Sequence, residues 1–376
     1  MSESIRIPPD LLPADGRFGC GPSKVRSESI AALADAAPTY LGTSHRQATV
    51  LFEVGALRNH LAELFSLPDG YEVLLGNGGT TAFWDAATFG LIRDRSQHLV
   101  FGEFSSKFAA AVRAAPHLGD PDLIEAEVGD HPDPVAAEGI DAYAFTHNET
   151  STGVAMPLHR PAGADTDALV LVDGTSAAGG LRFDPSQVDV YYFAPQKCLA
   201  SEGGLWIAAC SPAAIERIES ISASGRWCPA FLDLKIALDA SRKDQTYNTP
   251  SLGTIFLANQ QLRWILDHGG LEFAARRCDQ SSGILYRWAE AHERASPFVS
   301  DPAKRSSVVA TIDFDDSVDA AAVAATLRSN GIVDTEPYRK LGRNQLRIAT
   351  FPAIEPEDIE ALTRCIDFVI DALDRG

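Results

Sequence analysis

Residues 188–209 read VDVYYFAPQKCLASEGGLWIAA. The apolar, aromatic run from Val188 to Phe193 has the composition of a buried strand. It breaks at Pro195, presents one lysine, Lys197, and resumes after Gly203-Gly204 as a second apolar run, Leu205 to Ala209. An unpaired buried ammonium is costly, and its pKa falls. Only the neutral amine attacks an aldehyde, so this is the environment a Schiff-base lysine needs. A loop lysine that snorkels to solvent fits the same stretch. Its company elsewhere in the chain decides between the two.

The chain has 376 residues, 45% of them hydrophobic, enough for large cores and two domains. A net charge of −19 argues against nucleic acid or an anionic membrane surface as the main partner. Small anionic substrates stay compatible if a local cationic pocket receives them. Cys20, Cys198, Cys210, Cys228, Cys278 and Cys365 are scattered without a CxxC pair, which fits reduced thiols better than disulfides or a metal site. The start, MSESIRIPPD, lacks a basic and apolar signal pattern, and no apolar run approaches membrane length. The expectation is a cytoplasmic α/β protein with no membrane partner.

Residues 1–16 are polar and proline-rich and read as an extended arm leading into GRFGCGPSKV. Ser27 is a candidate cap for a helix over Ser29 to Ala36. Ser44-His45-Arg46 precedes a long amphipathic helix, a position that attracts anions. Tyr71 to Leu75 predicts a strand, followed by GNGGTT and a helix, AFWDAATFGLI. Such a turn points backbone N–H groups at a phosphate, with the hydroxyls of Thr80 and Thr81 as further donors. It is neither a Walker A loop nor GxGxxG.

Further strands are predicted at His98 to Phe101, Ala142 to Thr146 and Ala168 to Val172, spaced as a mostly parallel sheet requires. Polar residues gather past their carboxyl ends, where open α/β sheets bind ligands: Phe104-Ser105-Ser106, His147-Asn148-Glu149-Thr150 and Asp173-Gly174-Thr175-Ser176. A polar turn, Gln245 to Pro250, precedes a helix over Thr254 to Leu266. The remainder predicts a second α/β layer, with strands at Ser307 to Phe314, Ile332 to Thr335 and Gln345 to Ala349. A helix over Asp319 to Ser329 lies among them, and a last helix carries the apolar stripe Ile359, Leu362, Ile366, Val369, Ile370, Leu373. The boundaries are a large domain over 17–266 and a smaller C-terminal domain over 267–376, joined by the arm.

A Gly/Thr cradle, an aromatic past a strand, an Asp and a strand-flanked Lys, in that order, describe a pyridoxal phosphate site. Lys197 carries the aldehyde and serves as base and acid for the proton shift. Asp173 holds the pyridine nitrogen protonated, Phe104 stacks on the ring, and Gly79, Thr80 and Gln196 hold the phosphate.

The motifs FGCGPSKV, GTSHR, GNGGTT, HNETSTG, VDGTSA, APQK and YNTPS resemble the phosphoserine aminotransferases of the fold-type I, class V aminotransferase group. The resemblance covers essentially the whole chain. It implies amino transfer between glutamate and 3-phosphohydroxypyruvate, giving O-phosphoserine and 2-oxoglutarate, in serine biosynthesis. It leaves open a four-carbon phosphorylated keto acid on the way to pyridoxine. It also implies a homodimer in which Asn248 and Thr249 reach the cofactor phosphate of the other subunit. Thr150 then neighbours the ring hydroxyl, His45, Arg46 and Arg347 meet substrate anions, and Arg347 clamps the α-carboxylate.

Three departures stand out. The Gly-rich turn lacks a third glycine and an arginine, the ring-stacking tryptophan is Phe104, and the His-Arg pair ahead of Arg347 is replaced by Arg339, Lys340 and Arg343 nearby. The rival chemistries are alanine–glyoxylate transamination and cysteine desulfuration. The latter needs a reactive cysteine, and Cys198 beside the lysine reads as packed. A catalytically silent scaffold is the rival of a different class, and the retention of both Lys197 and Asp173 argues against it.

Overall fold

The computed structural model describes residues 5–375. Helices α1 (Ser27–Tyr40) and α2 (Ala48–Leu64) lead into β1 (Glu72–Asn77), α3 (Thr80–Gly90), β2 (Ser96–Val100), α4 (Glu103–Ala114) and β3 (Asp122–Glu125). Then come β4 (Ala142–Thr146), the short pair β5 (Asn148–Glu149) and β6 (Val154–Ala155), β7 (Leu169–Asp173), β8 (Val190–Phe193) and β9 (Leu205–Cys210). Helices α5 (Pro212–Ala223), α6 (Leu234–Ser241), α7 (Leu252–Asp267) and α8 (Gly270–Ala291) follow. The chain closes with β10 (Ala295–Pro297), β11 (Val309–Phe314), α9 (Ala320–Ser329), β12 (Gln345–Ala349) and α10 (Pro356–Asp374).

The main sheet has the order β1-β9-β8-β7-β4-β2-β3. Strands β8, β7, β4, β2 and β3 run parallel, and β9 runs against both its neighbours. Parallel neighbours need a crossover of about a dozen residues or more, usually a helix. The loop 194–204 between β8 and β9 is too short for one, so β9 turns back. That reversal leaves Lys197 at the carboxyl edge of the sheet, beside the end of β7.

Both faces of the sheet are covered, as a parallel sheet requires. Val170 and Val172 pack with Leu57, Leu61, Tyr191, Ile255 and Leu262 on one face. Leu169 and Leu171 pack with Phe83, Trp84, Val190, Tyr192 and Leu238 on the other. The period of two along β7 thus feeds two cores. A third core gathers Ile7 from the arm and Phe18 and Cys20 just after it with Leu285, Ile312, Ile359, Leu362 and Ile366. It lies on the antiparallel sheet β10-β11-β12. Helix α8 spans two of these cores, with Ala274 in the first and Leu285 in the third.

Three local expectations are corrected. Ser27 is the first residue of α1 rather than its cap, and Arg26 before it makes no side-chain capping bond. Ile332 to Thr335 is not a strand. Asp334 has φ +64° and breaks the extended run. The segment still pairs piecemeal: Val333 N–H donates to the Gly16 carbonyl at 2.8 Å, and Arg347 N–H to the Thr335 carbonyl at 3.0 Å. Leu373, assigned to the apolar stripe of α10, is 36% exposed where the helix ends. Among the described residues, no helix is long and apolar enough to cross a membrane.

Candidate active site

Lys197 follows β8 and is buried. Its Nζ donates to Thr150 Oγ1 at 2.9 Å and lies 5.3 Å from the centre of the Phe104 ring. Burial pushes the ammonium down to about 8, against the opposing pull of the Asp173 carboxylate. The segment just after the arm packs directly on this side chain. At Gly21, with φ +140°, an added Cβ would stand 2.7 Å from Lys197 Cε. Ser23 fixes the loop from the same side, its hydroxyl donating to the Lys197 carbonyl at 2.9 Å and its N–H to the Gln196 carbonyl at 3.0 Å.

Asp173 ends β7 and pairs in register with Tyr192 of β8. Trp84 Nε1–H donates to its Oδ2 at 3.2 Å, and Thr175 N–H to its Oδ1 at 2.9 Å. Burial raises its pKa above the usual carboxylate range, and these hydrogen bonds oppose the rise. A buried anion of this kind is at rest only against a cation. A protonated ring nitrogen is such a partner.

The Gly-rich turn opens α3. Gly78 has φ +106°, and Gly79 caps the helix with no side chain, leaving its first-turn amides to another acceptor. Thr80 Oγ1 lies 2.7 Å from Thr175 Oγ1, which ties this turn to the Asp173 loop. At Gly79 and at Gly203 an added Cβ would meet no protein atom within 4 Å. Gln196 Oε1 and Asn148 Oδ1 are buried without a hydrogen-bond partner. These groups border a cavity of about 400 Å³ lined by Gly79, Thr80, Thr81, Phe104, Thr150, Asp173, Gln196, Lys197 and Arg347, among others. Free amides at a helix N-terminus, orphaned polar atoms, a depressed lysine and a buried aspartate suit a phosphorylated pyridine aldehyde.

Arg347, on β12, donates through Nη1 to the Thr150 carbonyl at 3.1 Å, while its Nε has no partner. Its guanidinium lies 5.3 Å from the centre of the Tyr338 ring, whose other neighbour is Phe104 at 5.9 Å. Beyond Tyr338 an adjoining cleft of about 720 Å³ is lined by Arg347 and Arg339. The three cations ahead of Arg347 differ sharply. Arg343 pairs with Asp313 and covers the Phe298 ring at 4.5 Å, and Lys340 pairs with Glu103 at 2.6 Å. Arg339 pairs with no carboxylate among the described residues.

The four remaining candidates lie outside the cavity of this chain. Asn248, Thr249 and Arg46 are exposed, and His45 is half-buried. Two of them meet: Thr249 Oγ1 is 3.3 Å from His45 Nδ1, and the Thr249 carbonyl accepts from Asn77 Nδ2 at 2.7 Å. Sequence reasoning missed Trp84 and Tyr338 and gave no task to Ser176 or Gly21. Ser176 Oγ accepts the Thr150 hydroxyl at 2.8 Å, which turns a Thr150 lone pair toward Lys197. Trp84 sits in an apolar helix and reads as core; only its place one turn after the Gly-rich loop marks it.

Cys198 is buried, its Sγ 3.3 Å from the Ser176 carbonyl, and burial raises its thiol far out of the thiolate range. Cys228 is pushed up to about 11. Neither has the character of a desulfurase nucleophile. Among the described residues no cluster of His, Cys, Asp and Glu has the makings of a metal site.

A family model described as aminotransferase class-V matches residues 20–335. Phosphoserine aminotransferase of Nocardioides sp. is 62% identical over 374 residues, covering 99% of this chain and 100% of that protein. Phosphoserine aminotransferase of Rhodococcus jostii is 59% identical over 373 residues, with the same coverage. The crystal structure of a phosphoserine aminotransferase from Cytophaga hutchinsonii superposes with a TM-score of 0.85 at 23% identity, covering 94% of this chain and 99% of that one. That likeness carries the fold.

Proposed function

The chain belongs to the class-V aminotransferase family, and from that premise we propose phosphoserine transamination as its reaction. The amino group passes reversibly between glutamate and 3-phosphohydroxypyruvate, giving O-phosphoserine and 2-oxoglutarate, a step of serine biosynthesis. The observation that carries this is the full-length identity of 59–62% to relatives of that name, not of the alanine–glyoxylate rival. It meets a cavity holding Lys197, Asp173 and the Gly-rich turn together.

Pyridoxal phosphate is the cofactor, and when bound it supplies the electron sink for charge at the substrate Cα. We assign Lys197 the removal and return of the Cα proton, the task of a base with a pKa near the working pH. Asp173 keeps the ring nitrogen protonated, Phe104 covers one ring face, and Thr150 meets the ring hydroxyl. Gly79, Thr80, Thr81 and Gln196 hold the phosphate. Arg347 takes the substrate α-carboxylate, and Arg339, with no carboxylate of its own, takes the substrate phosphate.

We further propose a homodimer in which Asn248, Thr249, His45 and Arg46 of each copy complete the cavity of the other. Their exposure beside one another in the single chain supports this. A division into 17–266 and 267–376 with an arm over 1–16, of which 1–4 and 376 lie outside the described residues, is supported by the change of core along α8, from Ala274 in the first to Leu285 in the third. A cytoplasmic setting suits the free cysteines.

The test is a single-turnover titration of the coloured protein with O-phosphoserine, serine and alanine, followed by absorbance at about 400–430 nm. Bleaching by phosphoserine alone is the expected result. Bleaching by alanine alone would move the reaction to a neighbouring transaminase, and a protein that pyridoxal phosphate cannot colour would overturn the assignment.

A further inference from the structure

Glu149 takes no part in the site as described, yet its side chain is fully buried, with 0% exposure. What surrounds it is the start of α4. That helix begins after Gly102, which has no side chain to cap it. Glu149 Oε2 accepts the N–H of Phe104 at 3.0 Å and of Ser105 at 2.9 Å, with the Ser105 hydroxyl at 3.1 Å. Its Oε1 accepts the Ser151 hydroxyl at 2.7 Å and the Ser151 N–H at 3.2 Å. The Ser151 oxygen in turn accepts the N–H of Glu103 at 3.2 Å. Three first-turn amides of α4 are therefore satisfied by residues of another element.

The missing cap explains Gly102. Its backbone is extended, at φ 173°, so any residue fits the conformation. A Cβ there, however, would stand 2.3 Å from Glu149 Cγ and 2.5 Å from Cδ. The glutamate fills the place that an N-cap side chain ordinarily takes. Residues along this stretch alternate in direction: Glu149 and Ser151 face α4, and Thr150 between them faces Lys197 at 2.9 Å.

We propose that Glu149 is a positioning residue that caps α4 from outside and thereby fixes Phe104 beside the Lys197 amine. The inference rests on the proposed function in taking Phe104 as the cover of the cofactor ring. A carboxylate is required because both oxygens accept at once. An amide would turn an NH₂ group toward donors on one side.

The experiment compares four holoenzymes: the parent, Glu149→Ala, Gly102→Asp, and the double variant Gly102→Asp/Glu149→Ala. Asp at an N-cap accepts the same first-turn amides, and Glu149→Ala vacates the space its Cβ needs. Glu149→Ala is expected to lower kcat with phosphoserine on the order of 10- to 100-fold, the scale of a small misplacement. KM is expected to stay within about threefold. The visible circular dichroism of the bound cofactor, read without substrate, is expected to weaken. Gly102→Asp alone is impaired by collision, and the double variant regains most of the kcat and the dichroism. A lower Tm with unchanged kcat and dichroism would make Glu149 merely structural and overturn the proposal. So would a double variant no better than Glu149→Ala. If Glu149→Ala does not fold, Glu149→Gln carries the same readouts at equal volume, and a parental dichroism there counts against the proposal. The dichroism needs no substrate, so a parent that ignores phosphoserine would sink the substrate assignment and leave this test standing.

Discussion

Lys197 is defined by two opposing environments, burial that favours the neutral amine and Asp173 that favours the ammonium. Burial wins, and a fall from 10.5 to about 8 raises the neutral fraction at pH 7 on the order of 100-fold. The rate at which cofactor-free protein takes up pyridoxal phosphate should therefore rise with pH through a midpoint near 8. Asp173→Asn removes the group that favours the charge, so its midpoint should move lower, with a large loss of kcat. A midpoint that stays near that of free lysine in both proteins would refute the assignment of a buried amine. Lys197→Ala should abolish turnover and keep the fold. Gly21→Ala places a methyl 2.7 Å from Lys197 Cε and asks for a backbone angle that alanine resists, so both kcat and Tm should fall. Lys197 and Asp173 were legible because a charge among apolar neighbours stands out in a sequence. Trp84 and Tyr338 were not, because an aromatic side chain in a helix or loop looks the same whether it packs a core or borders a cavity.

At the scale of elements, strands β4 and β12 match their predicted limits because each is a short, mostly buried run flanked by polar residues, Asp141 and His147 for one and Asn344 and Thr350 for the other. The run at 332–335 misled for a backbone reason, the left-handed Asp334, that composition does not encode. Strands β3 and β10 were missed because a short edge strand buries too little to show a period. The segment between Asp334 and Arg347 carries three cations of similar appearance, and only pairing distinguishes them. Arg339→Ala should raise KM for phosphoserine about 10-fold or more and leave KM for glutamate within about twofold, as loss of one charged hydrogen-bonding group implies. Arg343→Ala should instead lower Tm and leave both KM values alone, because its guanidinium is committed to Asp313 and Phe298. Equal effects on both substrates from Arg339→Ala would place the phosphate pocket elsewhere, with the exposed Arg46 of a second copy the first candidate.

For the whole molecule, the four site candidates outside the cavity make an assembly prediction. In a closed twofold dimer each site would draw on both copies. Mixing inactive Lys197→Ala with inactive Asn248→Asp/Thr249→Ala, then allowing subunits to exchange, should recover about a quarter of parental activity, since half the dimers are hybrids with one intact site. No recovery from well-mixed hybrids would confine the site to one chain. No periodicity or motif spacing could have revealed how the arm docks, since its contacts pair residues from opposite ends of the sequence.

Those contacts bear on how the protein is made. Ala14 N–H donates to Asp358 Oδ1 at 2.8 Å, the Leu11 carbonyl accepts from Cys365 Sγ at 3.2 Å, and Ile7 N–H reaches Asn330 Oδ1 at 3.0 Å. Phe18 and Cys20, just after the arm, share a core with Ile359, Leu362 and Ile366 of α10. Residues 7–20 thus wait for residues 330–366 before they can settle, because contacts this distant in sequence form only once the whole loop between them is closed. Until residues 330–366 have been made, the segment that lays Gly21 on the Lys197 side chain lacks its partners on α10, and the reactive amine has an unsecured cover.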